Sequence, residues 1–134
     1  MTENELYDIL CAPKKTKRKI AVIKAQMEKL RVMMLPGAIR YDLDHVQSSP
    51  KDQMLIFAEK IDELGRKATA QEELYMKQYA EVEELIEGLD DTHQDVVRLQ
   101  YLAECKPREV AEMLSYSEST VYRLKREAIK TLKG

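Results

Sequence analysis

The chain has 134 residues, 44% of them hydrophobic and 34% charged, with a formal net charge of -2. That length holds one ordinary domain or two small helical modules and excludes a large catalytic domain. The apolar content excludes a wholly disordered chain, and the mild net acidity argues against indiscriminate coating of DNA.

Only four Gly and four Pro punctuate a sequence rich in Glu, Lys, Leu, Ala, Met and Gln. Helix propensity is therefore high and turn signals are few, which predicts an all-α protein. Cys11 and Cys105 lie far apart with no His or Cys at metal-ligand spacing, so they read as reduced thiols in a cytoplasmic setting. No stretch approaches the roughly 18 apolar residues of a membrane span, and the N-terminus lacks the apolar core of a signal peptide. The small net charge hides a segregation. Lys14 to Arg31 holds eight basic residues against the single acid Glu28, and Glu59 to Asp91 holds eleven acids against Lys60, Arg66, Lys67 and Lys77. Opposite blocks of this kind invite pairing within or between chains.

In chain order, Glu3 to Leu10 is expected to make one short helix, which Pro13 should break. The basic run from Lys14 opens a longer helix in which Ile20, Ile23, Met27, Leu30 and Met34 recur in threes and fours, a heptad seam ended by Pro36 and Gly37. Ala38 to Ser49, with Tyr41, Leu43 and Val46 in neither period, reads as an ordered connector. Ser49 and Pro50 form a cap followed by a proline at the first helical position. The next seam runs through Met54, Phe57, Ile61, Leu64, Ala68, Gln71, Tyr75, Gln78, Val82, Leu85 and Leu89. At 1.5 Å per residue that helix reaches about 55 Å against about 33 Å for the basic one, so the shorter arm of the antiparallel hairpin cannot cover the longer. Self-association is one way to cover the remainder. Gly65 lies inside the seam, where glycine weakens or bends a helix, and Gly88 followed by Asp90, Asp91 and Thr92 gives the better stop and a fresh cap. The boundary is placed there, with residues 1–88 as a coiled-coil-like assembly region and 89–134 as a separate module.

In the second module Thr92 and Asp95 have capping-box spacing, and Val96, Val97, Leu99, Tyr101 and Leu102 supply the apolar face of a first helix. Pro107 opens a second helix through Leu114, barely two turns long and dependent on its neighbours. Ser115, Tyr116 and Ser117 form a three-residue turn, and Ser117 is placed to cap a third helix beginning at Glu118. Two short helices around such a turn suggest DNA reading. Ala111 is small where the third helix crosses, Val110 and Leu114 face Val121 and Leu124, and the outer face of the third helix is left free for a groove.

Leu99 to Leu102 (Leu-Gln-Tyr-Leu), Glu109 to Leu114 (Glu-Val-Ala-Glu-Met-Leu) and Ser117 to Arg123 (Ser-Glu-Ser-Thr-Val-Tyr-Arg) resemble the fourth conserved region of bacterial sigma factors, over residues 89 to 132. The whole layout is similar to small phage and prophage transcription regulators of the ArpU and RinA type. The resemblance implies a sequence-specific regulator that binds double-stranded DNA in the cytoplasm of a bacterial host. It implies groove-facing positions at Glu118, Ser119, Tyr122 and Arg123, with Ser117 and Thr120 counted among the DNA-binding residues at the same helix end and Lys125 and Arg126 toward phosphates. Arg123 is the candidate for a two-pronged contact to guanine, worth about 1–3 kcal/mol of discrimination. Residues 119–134 carry Arg123, Lys125, Arg126, Lys130 and Lys133 against Glu127, a balance suited to an anionic backbone. Two positions depart from the sigma pattern. Ser115 stands where glycine usually takes a left-handed backbone, at a cost of about 1 kcal/mol, and Lys106 stands where a capping Ser is common.

The basic run Lys14 to Lys19 reads as a solvated face answered by the acidic helix, with an arm touching DNA as its alternative. His45 and His93 are isolated from each other and from Cys, which disfavours a metal site. No Ser-His-Asp set, glycine-rich phosphate loop or paired-carboxylate arrangement stands out, so neither an enzyme nor a cofactor is expected. Three rivals to the regulator remain: a sigma-like factor acting only with RNA polymerase, a small terminase subunit that packages DNA as a ring, and a structural coiled-coil adaptor.

Overall fold

The structure, a computed structural model, describes residues 1–35 and 50–134. The helix stop at Pro36 and Gly37, the connector Ala38 to Ser49 and the cap at Ser49 lie outside the described residues. Five helices follow one another: α1 (Glu3–Met33), α2 (Pro50–Ile86), α3 (Asp91–Val97), α4 (Pro107–Leu114) and α5 (Glu118–Lys133). Helix α3 runs on into a π-helical turn over Arg98–Leu102. The protein is thus all-α, a long antiparallel hairpin of α1 and α2 followed by three short packed helices, as the periodicity predicts.

The first helix departs from expectation. Helix α1 does not break at Pro13 but carries it inside a single run of 31 residues. An internal proline forfeits a backbone hydrogen bond and costs about 3 kcal/mol. Here its ring is itself fully buried, with Leu10 and Leu6 one and two turns before it, so burial along that stripe offsets the lost bond. With α1 starting at Glu3, the arms reach about 46 and 55 Å and are less unequal than the sequence suggests.

The chain divides into two compact units, Lys17–Glu73 and a unit built from Met1–Thr16 with Leu74–Gly134. In the first, α1 and α2 contribute one seam. Leu64 and Ala68 are buried, whereas Ile20, Ile23, Met27, Leu30, Phe57 and Ile61 stay half-buried, because two helices alone enclose only the line between them. At the start of α2 the register differs from expectation: Met54 is 41% exposed and Gln53 is buried instead. Gly65 does not interrupt the helix; the position its Cβ would take lies 3.7 Å from Met27 Cε. Lys24 pairs with Glu72 at 3.2 Å, and Lys60 and Lys67 flank Glu63 at 3.4 Å each, which holds the Glu63 carboxyl below its ordinary range.

The other unit has two cores. Leu6 and Leu10 of α1 meet Val82 and Ile86 of α2, Leu89, Val97, Tyr101 and, from α5, Ala128 and Ile129. A second cluster joins Val96, Val110, Ala111, Val121 and Leu124, with Leu99, Cys105 and Leu114 against it. The stretch from Asp91 to Leu102 feeds both, because Val97 and Tyr101 point into one and Val96 and Leu99 into the other. Arg98 clamps this stretch to α2, its Nε and Nη2 donating to the Glu83 carboxylate at 3.2 and 2.9 Å and its Nη1 to Gln94 Oε1 at 2.8 Å. A buried hydrogen bond from Thr16 Oγ1 to Gln78 Oε1 ties α1 to α2 in the same unit.

Candidate nucleic-acid interface

Helix α4 begins at Pro107, where the Lys106 amide donates to Glu109 Oε1 at 3.1 Å, so Glu109 supplies the cap that Lys106 cannot. The helix ends at Leu114, and Ser115 adopts the left-handed conformation, φ 59° and ψ 41°. The turn is then closed by the Tyr116 amide donating to Ala111 O at 3.0 Å. Ser117 caps α5, its Oγ accepting from the Thr120 amide at 3.2 Å. The cap is shared among three hydroxyls, with Ser119 Oγ at 3.1 Å and Thr120 Oγ1 at 2.9 Å from Ser117 Oγ. Behind it, Val121 and Leu124 are buried against Val110 and Ala111, which fixes α5 across α4 as the sequence spacing predicts.

The exposed residues of α5 then fall on one side. At 100° per residue, Glu118, Ser119, Tyr122, Arg123, Arg126, Lys130 and Lys133 fall within an arc of about 140°. All seven are exposed, Tyr122 at 47%. Thr120 is half-buried at the cap, and Lys125 lies off this row, half-buried, with its Nζ 6.0 Å from the Tyr7 ring centroid and 5.8 Å from that of Tyr101. The structure therefore gathers Glu118, Ser119, Tyr122, Arg123 and Arg126 on one face, assigns Ser117 and Thr120 to the cap, and sets Lys125 against two rings.

A chain of charged groups that the sequence did not advertise runs behind Arg123. Arg123 Nη1 donates to Glu127 Oε1 at 3.0 Å, and Glu127 Oε2 lies 2.8 Å from His93 Nε2. His93 Nδ1 in turn meets the Asp90 carboxylate, which also caps α3 by accepting from the His93 amide at 3.1 Å. Asp90, one of the residues read as a fresh cap after Gly88, is thus the actual N-cap, in place of a Thr92 box. The two carboxylates, Asp90 first, raise the His93 pKa above its ordinary value, and His93 with Arg123 lowers that of Glu127. His93 is thus held by two carboxylates. The spacing of Asp90 and His93 hinted at half of this arrangement, but Glu127 lies 34 residues from His93 and no local pattern connects them.

Past this face, Lys125, Arg126, Lys130 and Lys133 line a recess of about 420 Å³ together with Tyr7, Tyr122 and Glu3. Tyr101, beneath it, is buried and its hydroxyl is pushed to a higher pKa chiefly by that burial. Among the described residues, no group of three or more His, Cys, Asp or Glu side chains is placed to hold a metal ion, and no helix is long and apolar enough to cross a membrane.

No curated protein and no solved structure matches the chain. A family model does, over residues 52–133, which take in almost all of α2 and the three helices after it. With more than half of its length matched, this small all-helical protein belongs to the DUF1492 family, described as proteins of unknown function.

Proposed function

We propose that this protein is a sequence-specific DNA-binding transcriptional regulator of phage or prophage type, which reads double-stranded DNA with α5 and acts without catalysis or cofactor. The observation that carries the reading is the unit formed by α4, the turn Ser115 to Ser117 and α5. Its inner side is locked by Val110, Ala111, Val121 and Leu124, and its outer side presents Glu118, Ser119, Tyr122, Arg123 and Arg126 in one row. A major groove about 12 Å wide admits one helix, and a row of this chemistry on its N-terminal turns meets base edges. The likeness of residues 99–102, 109–114 and 117–123 to the fourth region of sigma factors favours the same face. Arg123 is the base-reading candidate. Its bond to Glu127 is an exposed pair one turn apart, weak enough to be exchanged for a guanine edge.

A second copy of the chain completes the proposal, because one small reading head seldom supplies enough affinity and paired half-sites do. The Lys17–Glu73 unit supports this reading: Val22 is 61% and Ile56 58% exposed, apolar surface that a two-helix seam leaves uncovered.

The test is selection of genomic and phage DNA fragments by the purified protein at near-physiological salt, beside Arg123→Ala. A defined site should be recovered and lost by the variant, with affinity falling about 5- to 150-fold. Equal behaviour of the two proteins, or enrichment of no fragment, would overturn the reading.

A further inference from the structure

Base reading uses the first turns of α5, and the second half of the helix lies beyond the bases. Lys130 lies about 16 Å along the helix axis from Ser119, and Lys133 about 21 Å, beyond a groove about 12 Å wide. Yet this half is where the cations gather. Arg126 and Lys130 are one turn apart, Lys130 and Lys133 three residues apart, and like charges at these spacings repel. Arg123 on the same helix is answered by Glu127, but among the described residues no carboxylate pairs with Arg126, Lys130 or Lys133. A helix keeps such repulsion cheaply when an anion relieves it.

The recess also has walls suited to more than a bare ion. Tyr7 enters from the first turns of α1 and Tyr122 from α5, so two aromatic side chains border the cluster of Lys125, Arg126, Lys130 and Lys133. Lys125 is held over the Tyr7 ring, which fixes one cation at the aromatic side. Rings that stack a base or sugar beside several cations that take a phosphate are the elements of sequence-tolerant nucleotide binding. Glu3, in the first turn of α1, is the one acid on the lining; it lowers the local charge without cancelling it.

We propose that this recess is a second site, adjoining the base-reading turn of α5 and sharing Tyr122 and Arg126 with its row, that binds the phosphate of a nucleotide, with Lys125, Arg126, Lys130 and Lys133 on the phosphate and Tyr7 and Tyr122 beside the base or sugar. The phosphate has two sources, a nucleotide flanking the site on bound DNA or a free nucleotide. Only the first rests on the DNA-binding reading above.

Full-length protein and its Lys130→Gln/Lys133→Gln double variant distinguish them. Both changes are on exposed positions and retain side chains that tolerate a helix. In one arm, binding to the selected duplex is followed across salt concentrations. In the other, ATP and inorganic pyrophosphate are titrated with tyrosine fluorescence and calorimetry as readouts. If flanking DNA is the source, the double variant keeps the same preferred site but its log–log salt slope falls by about 1.8, near 0.9 per lost phosphate contact. If a free nucleotide is the source, ATP binds the parent protein, quenches tyrosine emission and binds the variant at least tenfold more weakly, while the DNA slope is unchanged. Glu3→Gln should tighten either interaction. Unchanged DNA slope together with no ATP or pyrophosphate binding overturns the proposal even where Arg123→Ala abolishes site selection. Nucleotide binding by a protein that selects no DNA would leave the recess standing and remove the regulator.

Discussion

Replacing Ser115 by glycine should stabilise the unit that contains α4 and α5. Ser115 sits at φ 59° and ψ 41°, where a side chain costs about 1–2 kcal/mol relative to the right-handed region. Its side chain is exposed, and the backbone bonds that close the turn, from the Ser115 and Tyr116 amides to Ala111 O, do not involve it. Glycine removes the steric term but loosens the unfolded chain by about 0.4–1 kcal/mol. From the midpoints of the two terms the net gain is about 0.8 kcal/mol, or roughly 2–5 °C in Tm for a chain of this size. Ser115→Ala, which keeps a Cβ, should stay within about 0.5 kcal/mol of the parent protein. Urea denaturation followed by circular dichroism gives all three values. A glycine variant no more stable than the alanine variant would refute the argument that the turn stores backbone strain.

Leu6→Ala removes a fully buried side chain that packs with Val82, Ile86 and Ala128, and should cost about 2–5 kcal/mol by the same denaturation assay. A loss below about 0.5 kcal/mol would show that the first turns of α1 are not part of that core. His93 supplies a pH signature. Its raised pKa means that its contribution to stability is complete below the unfolded value of about 6.5 and disappears as pH rises through the folded one. Asp90 and Glu127, both lowered, contribute with the opposite sign, losing their share as pH falls through their folded values. Between mildly acidic and mildly alkaline pH the denaturation midpoint should decline in the parent protein and remain level in His93→Gln; parallel profiles would dissolve the Asp90, His93 and Glu127 chain.

What could be read from the sequence was what is encoded within a few residues. Pro107 at a helix start, Ser117 as a cap and the small Ala111 between Val110 and Leu114 announce α4, the turn and α5 to the residue, since each signal acts on backbone three or four positions away. Pro13 misled for the converse reason. Its local cost is real, and its burial in the folded chain, which the proline itself does not signal, lets the helix continue. The seam of α2 was legible in period but slipped by one at its start, where Gln53 rather than Met54 turns inward. Glu118, Ser119, Tyr122 and Arg123 came from the resemblance to sigma factors, and the exposure of α5 gathers them with Arg126 in one row. The partners His93 and Glu127, and the approach of Tyr7 to Lys125, depend on contacts between segments far apart in the chain and had no sequence signature.

The π-helical turn at Arg98–Leu102, closed by the Ala103 amide donating to Arg98 O at 2.9 Å, carries a residue more than a regular turn needs. That surplus makes it the point in the module most tolerant of a change in chain length. Losing one residue there would return the turn to ordinary helix, whereas losing one from the link Ala103 to Lys106 would fall on Glu104, already at φ 58°. Gaps in alignments of DUF1492 proteins should therefore gather within the helix at 98–102 and spare the loop that follows it.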